Sequence, residues 1–310
     1  MRKLHRHLIL TLLVSLMGVS EAGASNPPMV GTQILIQNRV VNIYSPKASS
    51  ANIPRTLVIL LHSYGGTGKQ IDAYLQFGNL AKQAGFIYAT VEGTKDGSGK
   101  QFWNATPSCC NFAKKNVDEA AFFRELLAEI QKQKNIDPLR IFIVGTSNGG
   151  FMAHSLACTL SPDIAGIISI AGEQFNNPDD CRPTDLVNIL QIQGMSDPTI
   201  PYSGGNIGLA PFPGAERTLK IWATKNDCDL STYIVREMPS LVYSKPQVPS
   251  LSKSYSSCPD GGNVELWAIP GAGHMPNLNT LAQRQILNWL LAHPKVSEVS
   301  SGPSLKIGAH

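Results

Sequence analysis

Charged residues are scarce in this sequence, and those present are not clustered. They make up 15% of the 310 residues, well below the usual quarter. Beyond the N-terminal segment no run of Lys or Arg is longer than a pair. A nucleic-acid-binding protein would show a basic stripe and a coiled coil would be rich in charge, so both classes are excluded. Hydrophobic residues make up 43%, which excludes a disordered chain.

Long hydrophobic runs are also lacking, apart from one of about twelve residues near the start, which is too short to span a bilayer. It covers residues 8–19, follows Arg2, Lys3 and Arg6, and precedes a small-residue cleavage site at 22–24. This order predicts a signal peptide over residues 1–24 and a mature protein that is secreted or periplasmic and free of the membrane. An N-terminal anchor that is never cleaved is the alternative.

Metal-binding cysteine patterns are absent, although the chain has six cysteines. There is no Cys-x-x-Cys and no Cys/His group with zinc spacing, so we expect no metal site. An even count in an exported protein instead predicts disulfides. A direct bond between the remaining neighbours Cys109 and Cys110 would close an eight-membered ring, and their state is left open. The predicted pairs close modest loops and are Cys158 with Cys181 and Cys228 with Cys258.

Buried apolar strands alternate with helical patterns along the mature chain, and internal repeats are absent. This alternation predicts an α/β fold, with a mostly parallel central sheet and helices on both faces. We predict one domain over residues 25–293 and a flexible tail over residues 294–310. Further predictions are one helix over residues 69–84, a helix capped by Asn116, and a Ser/Pro-rich excursion between a helix and a strand over residues 229–262.

The sequence Gly145-Thr146-Ser147-Asn148-Gly149 lies between a buried strand, IFIV, and a helical segment, FMAHSLA. A serine on such a tight strand-to-helix turn presents its hydroxyl above the sheet, and the glycines leave room for the turn. Ser147 is therefore the candidate nucleophile.

A nucleophilic serine needs a base later in the chain, and one histidine fits. His274 stands in a glycine-flanked loop after the strand VELWAI, at the end of the sheet where such folds build their sites. His154 lies seven residues after Ser147 on the same helix and should point away, and His62 precedes Ser147. The other histidines fall in the predicted signal or in and beside the tail: His5, His7, His293 and His310.

The acid that orients the base should also follow a strand, in the order Ser, Asp, His. Asp197 follows the strand ILQIQG, whereas Asp179, Asp180 and Asp185 precede it and should be solvated. A purely structural Asx turn before Pro198 is the alternative for Asp197.

Backbone N–H groups should stabilise the negative charge that develops on the substrate. One predicted donor is Asn148, directly after the nucleophile. The second is Tyr64, in the glycine-rich loop over residues 62–68. Whether Ser63 or Tyr64 supplies this donor is left open.

These motifs carry a family resemblance over roughly residues 32–290. The chain resembles α/β-hydrolases of the polyhydroxybutyrate depolymerase and feruloyl esterase kind, the carbohydrate esterase group that includes secreted acetyl xylan and feruloyl esterases. The resemblance implies the α/β-hydrolase fold, with Ser147 as nucleophile, His274 as base and Asp197 as its partner. The motifs concerned are LLHSYGGTG, FWNATPSCC with VDEAAFFREL, VGTSNGGFMAHSLAC, GMSDPTIPYSGG and VELWAIPGAGHMP.

Two departures from the family pattern fall near the expected site. Ser63 replaces the usual glycine after His62, and Met275-Pro276 stands where Trp-Pro is common. Met275 is therefore a candidate substrate-binding residue. Trp103 is a second candidate, as a platform in the loop before the paired cysteines, with packing against its own loop as the alternative.

The predicted function is a secreted serine ester hydrolase that works through an acyl-enzyme, without a metal or organic cofactor. The expected partner is an ester substrate, polymeric or small, and no nucleic acid or protein partner is implied. Polyhydroxyalkanoate, feruloylated or acetylated polysaccharide and small esters all stay open. A serine peptidase on the same fold and a secreted binding protein without turnover are the alternatives.

Overall fold

A computed structural model describes residues 28–47, 53–255 and 257–296 of the chain. The predicted signal peptide lies outside these ranges, as do residues 297–310 of the predicted tail. The first residues of that tail are held by Lys295, whose backbone N–H donates to Leu139 at 2.8 Å. Its Nζ lies 3.0 Å from an Asp185 carboxylate oxygen.

A ten-stranded sheet forms the centre of the described chain, in the order β1-β2-β4-β3-β7-β8-β9-β14-β13-β12. The six central strands are parallel, and two antiparallel strands extend the sheet at each edge. Two short hairpins, β5-β6 and β10-β11, lie outside it. The strands are β1 (Met29–Ile36), β2 (Arg39–Pro46), β3 (Arg55–Leu61), β4 (Ile87–Val91), β5 (Thr94–Lys95), β6 (Gln101–Phe102), β7 (Ile136–Thr146), β8 (Gly166–Ile170), β9 (Asn188–Gly194), β10 (Gly204–Ile207), β11 (Ala210–Pro213), β12 (Tyr233–Met238), β13 (Ser250–Tyr255) and β14 (Val264–Ile269).

Helices cover both faces of this sheet, as the fold prediction requires. Apolar side chains of α3, α4 and α5 pack on one face, and those of α1, α2 and α6 pack on the other. Strands buried on both faces are continuously apolar, which explains runs such as TLVILL in β3. The helices are α1 (Gly68–Leu75), α2 (Phe77–Ala84), α3 (Glu119–Gln133), α4 (Asn148–Thr159), α5 (Ala215–Lys225) and α6 (Thr280–Ala292).

All six cysteines are disulfide-bonded. The two predicted pairs are confirmed, with Cα–Cα distances of 5.0 Å for Cys158–Cys181 and 4.0 Å for Cys228–Cys258. The third bond joins the neighbours Cys109 and Cys110. The first pair fastens the last turn of α4 to the segment that leads into β9.

Two local predictions are wrong, and a third is incomplete. The helix predicted over residues 69–84 is two helices, because Gln76 adopts a left-handed conformation with φ of 53° and ends the first. The cap of α3 is Asp118 rather than Asn116, since the Asp118 carboxylate accepts from the Ala121 N–H at 2.9 Å. The excursion over residues 229–262, to which the sequence assigned no strand, supplies β12 and β13, which extend the sheet.

Candidate active site

Three strands of the parallel part of the sheet end close together, and each is followed by one predicted site residue. Ser147 follows β7, Asp197 follows the turn after β9, and His274 lies in the loop after β14. Because parallel strands have their carboxyl ends at the same edge, these residues meet at one edge of the sheet.

Ser147 stands at the sharp turn between β7 and α4. Its φ is 52° and its ψ is −118°, a conformation that few non-glycine residues adopt. Close backbone packing holds the turn: a Cβ on Gly149 would lie 2.2 Å from the Leu61 carbonyl oxygen, and one on Gly145 would lie 2.0 Å from that of Gly149. Glycine at both positions is therefore required for α4 to start directly against the sheet.

The His274 ring joins the other two residues. Its Nε2 lies 2.9 Å from Ser147 Oγ, and its Nδ1 lies 2.8 Å from Asp197 Oδ2. The Asp197 carboxylate is buried, whereas the His274 side chain is 21% exposed. A ring between a hydroxyl and a carboxylate can take the hydroxyl proton on one nitrogen while the carboxylate fixes the tautomer at the other.

The surroundings of Asp197 favour its ionised form. Its Oδ1 accepts from the backbone N–H groups of Thr199 at 2.8 Å and Ile200 at 2.9 Å. Burial opposes ionisation, yet the hydrogen bonds from His274, Ile200 and Thr199 outweigh it and hold the pKa of Asp197 below its usual value. The predicted Asx turn is present, and the same carboxylate faces His274. Asp179, Asp180 and Asp185 do not contact the ring.

The loop over residues 62–68 is fixed from both sides. His62 is buried, accepts the Gly93 N–H at Nε2 over 3.0 Å and donates from Nδ1 to the Ser63 carbonyl at 2.8 Å. Burial lowers the pKa of His62, which keeps this ring neutral. Ser63, the departure from the family pattern, lies with its Oγ 2.9 Å from Thr146 Oγ1 and so connects the loop to the residue before Ser147.

The two predicted oxyanion donors are the backbone N–H groups of Asn148, at the start of α4, and of Tyr64, in the loop over residues 62–68. In the ranges that the structure covers, neither the Asn148 N–H nor the Tyr64 N–H donates to another protein group. The neighbouring Gly65 and Gly66 N–H groups are occupied by the carbonyl oxygens of Gln101 and Ser63. The Tyr64 side chain is half-buried, and its hydroxyl donates to Asp96 at 2.7 Å.

Trp103 was predicted to be a platform for substrate, and this prediction is wrong. Its side chain is 0% exposed, and its Nε1 donates to the His62 carbonyl at 2.9 Å. Its backbone exchanges two hydrogen bonds with the Asn148 side chain, at 2.8 and 3.1 Å. The ring therefore supports the loop at His62, and the Trp103 backbone holds the Asn148 side chain at the start of α4.

Met275 borders a cavity next to the Ser147 turn. The cavity measures about 380 Å³ and is lined by the loop over residues 62–66, by Thr146 and by α1 side chains that include Tyr74. Tyr74 donates to the Pro276 carbonyl at 2.8 Å and so connects α1 to the His274 loop. Met275 is half-exposed at the mouth of this space.

A row of buried amides behind Asp197, formed by Gln191 and Gln193, was not predicted from the sequence. Gln193 Nε2 donates to Asp197 Oδ2 at 3.0 Å, and Gln191 lies one strand repeat earlier on the same face of β9. Two glutamines two residues apart in the buried strand β9 were the available signal, because alternate residues face the same side. His154 reaches this row as well, with Nε2 at 3.0 Å from Gln191 Oε1.

The described ranges contain neither a metal-binding cluster nor a membrane-spanning helix. Within residues 28–47, 53–255 and 257–296, no group of three or more His, Cys, Asp or Glu side chains is placed to hold a metal ion. None of the helices in the same ranges is long and apolar enough to cross a bilayer.

Known proteins are similar to this chain in sequence or in fold. The protein NocK of Nocardia uniformis subsp. tsuyamanensis, named as an esterase, is 30% identical over 169 residues, 54% of this chain and 48% of that protein. Feruloyl esterase B of Piromyces equi is 28% identical over 76% of this chain and 42% of its own length. The solved acetyl xylan esterase from Aspergillus awamori superposes with a TM-score of 0.61 and 15% identity, covering 84% of this chain and 98% of its own.

The chain thus spans under half the length of these two curated relatives. The family model that matches covers residues 43–208, more than half of the chain, and is described as phospholipase/carboxylesterase. That segment contains β3, the Ser147 turn and Asp197. The chain belongs to the phospholipase/carboxylesterase family and has the α/β-hydrolase fold.

Proposed function

We propose that this protein is a serine carboxylic-ester hydrolase, with Ser147 as nucleophile, His274 as general base and acid, and Asp197 as the residue that orients His274. The observation that carries the proposal is the single ring that bridges Ser147 Oγ and Asp197 Oδ2 at 2.9 and 2.8 Å. The family and its esterase relatives support the same chemistry.

The reaction has two steps. His274 Nε2 takes the Ser147 proton as Oγ bonds to the ester carbonyl carbon, and the N–H groups of Asn148 and Tyr64 receive the oxyanion. The carbon–oxygen bond to the alcohol then breaks, and the alcohol leaves with the proton from His274. Water repeats the sequence on the acyl-enzyme, which releases the acid and restores Ser147.

The names of the relatives support a choice of substrate class. Feruloyl esterase B is a relative over three quarters of this chain, and a cavity of about 380 Å³ lies between Thr146 and Met275, the neighbours of Ser147 and His274 in the sequence. We infer that the protein cuts feruloyl, acetyl or polyhydroxyalkanoate-type esters. The three disulfides fit the oxidising compartment that an exported enzyme meets.

The test combines a substrate panel with one variant. Purified protein is assayed on short-chain aryl esters, methyl ferulate, acetylated xylan, polyhydroxybutyrate and a peptide amide. Ser147→Ala should lose activity by roughly a thousandfold or more with the fold intact, and should no longer be labelled by a fluorophosphonate. Near wild-type hydrolysis by Ser147→Ala would refute the mechanism, and cleavage of the amide alone would make the protein a peptidase.

A further inference from the structure

We propose that Gln193 is a positioning residue for Asp197. It fixes the carboxylate that faces His274 and draws negative charge away from the oxygen that His274 touches. This inference rests on the proposed function, since it concerns how the proposed base is tuned.

Gln193 donates hydrogen bonds to both ends of the turn that carries Asp197. It is fully buried, and its Nε2 donates to Asp197 Oδ2 at 3.0 Å and to the Ile200 carbonyl at 2.8 Å. The same Asp197 oxygen lies 2.8 Å from His274 Nδ1. One carboxylate oxygen is therefore shared between the ring and a neutral amide donor.

The orientation of this amide follows from a chain of donors that begins at Trp222. An indole nitrogen can only donate, and Trp222 Nε1 lies 3.0 Å from His154 Nδ1, so that nitrogen of the neutral ring accepts. His154 must then carry its proton on Nε2, from which it donates to Gln191 Oε1.

The same logic continues along β9. With its oxygen occupied by His154, Gln191 presents its NH₂ group to the Gly172 carbonyl at 2.9 Å and to Gln193 Oε1 at 3.3 Å. Gln193 can then only turn its own NH₂ group toward Asp197. A reversed amide would place oxygen against the carboxylate, which is repulsive.

The row holds Asp197 without adding a charge. The row of buried amides has two titratable neighbours, His154 and Glu173, and both are buried. Burial lowers the pKa of His154 to about 4 and raises the pKa of Glu173, so both shifts favour the uncharged form of the side chain. Glu173 Oε1 accepts from Gln191 at 3.4 Å, and Oε2 lies 2.5 Å from the Thr218 hydroxyl. The charged partner that Asp197 can acquire is the His274 ring.

Removal of the Gln193 donor should shift the pH dependence of kcat/KM in a predictable direction. The Asp197 carboxylate would keep more of its charge on Oδ2 and would hold a protonated His274 more tightly. The inactive, protonated ring would then persist to higher pH, and the acid limb of the kcat/KM profile would move upward. A residue that served only packing would leave this limb in place.

The experiment measures kcat and KM across pH on a soluble aryl ester, for the wild type, Gln193→Met and Gln174→Met. Gln174 is the matched control: it is fully buried, and in the described part of the chain its amide atoms have no hydrogen-bond partner. Gln193→Met should move the acid limb up by about one pH unit and lower kcat by roughly tenfold, with KM unchanged. Gln174→Met should leave the limb in place.

The variant Gln193→Glu provides a second test, in which activity relative to wild type should change with pH in the opposite direction. The introduced carboxyl group donates to Asp197 while it is protonated, but two carboxylates sharing one site resist joint ionisation. Its activity relative to wild type should therefore fall as pH rises, whereas that of Gln193→Met should rise. This variant also decides the matter if Gln193→Met does not fold, as judged by circular dichroism.

A folded Gln193→Met with an unmoved acid limb would overturn the inference, as would an equal movement in Gln174→Met or a wild-type profile in Gln193→Glu. Failure of the proposed function looks different, because it would appear as full activity in Ser147→Ala before any glutamine is changed.

Discussion

His274 and His154 are the same residue type in two environments, and both have partners on both ring nitrogens. His274 lies in a loop, partly exposed, between a hydroxyl and a carboxylate. His154 is buried in α4 between an indole N–H and an amide oxygen. A carboxylate favours the imidazolium, whereas burial among neutral partners disfavours it. The chemical nature of the hydrogen-bond partners, rather than closeness in sequence to Ser147, distinguishes a catalytic base from a structural histidine.

The largest expected effect tests this contrast directly. His274→Ala should reduce ester hydrolysis by roughly a thousandfold or more, because among the residues that the structure describes only the His274 ring forms a side-chain hydrogen bond with Ser147 Oγ and can take its proton. His154→Gln should cost less than about tenfold, since His154 acts on Asp197 only through two glutamines. Steady-state rates on folded protein decide the matter. Equal losses in both variants would remove the distinction.

The second prediction concerns the disulfide that ends α4 one turn after His154. Replacing both Cys158 and Cys181 by Ala should lower the free energy of unfolding by about 3 kcal/mol, because the bond closes a loop with a separation of 23 residues. Denaturant unfolding measures the loss, and hydrolysis at low temperature should stay near wild type.

The Cys228–Cys258 pair is the control, since its separation of 30 residues predicts a similar loss away from α4. Lower activity only after removal of the first pair would mean that the far end of α4 helps to place Ser147.

The smallest expected effect is the response of stability to acid. The folded pKa of His154, about 4, lies below the unfolded value of about 6.5. Its contribution is therefore complete above the unfolded pKa and is lost as pH falls toward the folded one. Between pH 7 and 5 the free energy of unfolding should fall by about 2 kcal/mol through this residue.

Denaturant titrations of wild type and His154→Gln isolate that contribution, because the acidic residues are common to both. The variant should show a flatter dependence of unfolding free energy on pH over this window. Parallel curves would contradict the assignment of a neutral, buried His154.

The meeting of Ser147, Asp197 and His274 could be predicted from sequence because each follows an apolar strand, and parallel strands end at one edge. Trp103 could not be placed, since loop composition does not reveal that a ring turns inward to the His62 carbonyl. The break at Gln76 was hidden because a single residue with positive φ does not disturb helical periodicity.

Two further failures have the same physical origin. β12 and β13 lie at the sheet edge with mostly exposed or half-buried side chains, so they need no apolar alternation and resemble a polar loop. Gln191 and Gln193 were visible as polar residues inside a buried strand, yet sequence does not show which groups face them across the sheet. Long-range partners decide the role of a polar residue in both places.

The backbone of Ser147 has a consequence for protein engineering. A serine held at φ of 52° costs the fold about 1–3 kcal/mol that glycine would not. Selection for heat resistance alone would therefore favour glycine at this position, and the hydroxyl would be lost with the strain. Directed evolution of a more durable variant needs a turnover screen at every round, because stability and catalysis oppose each other at this residue.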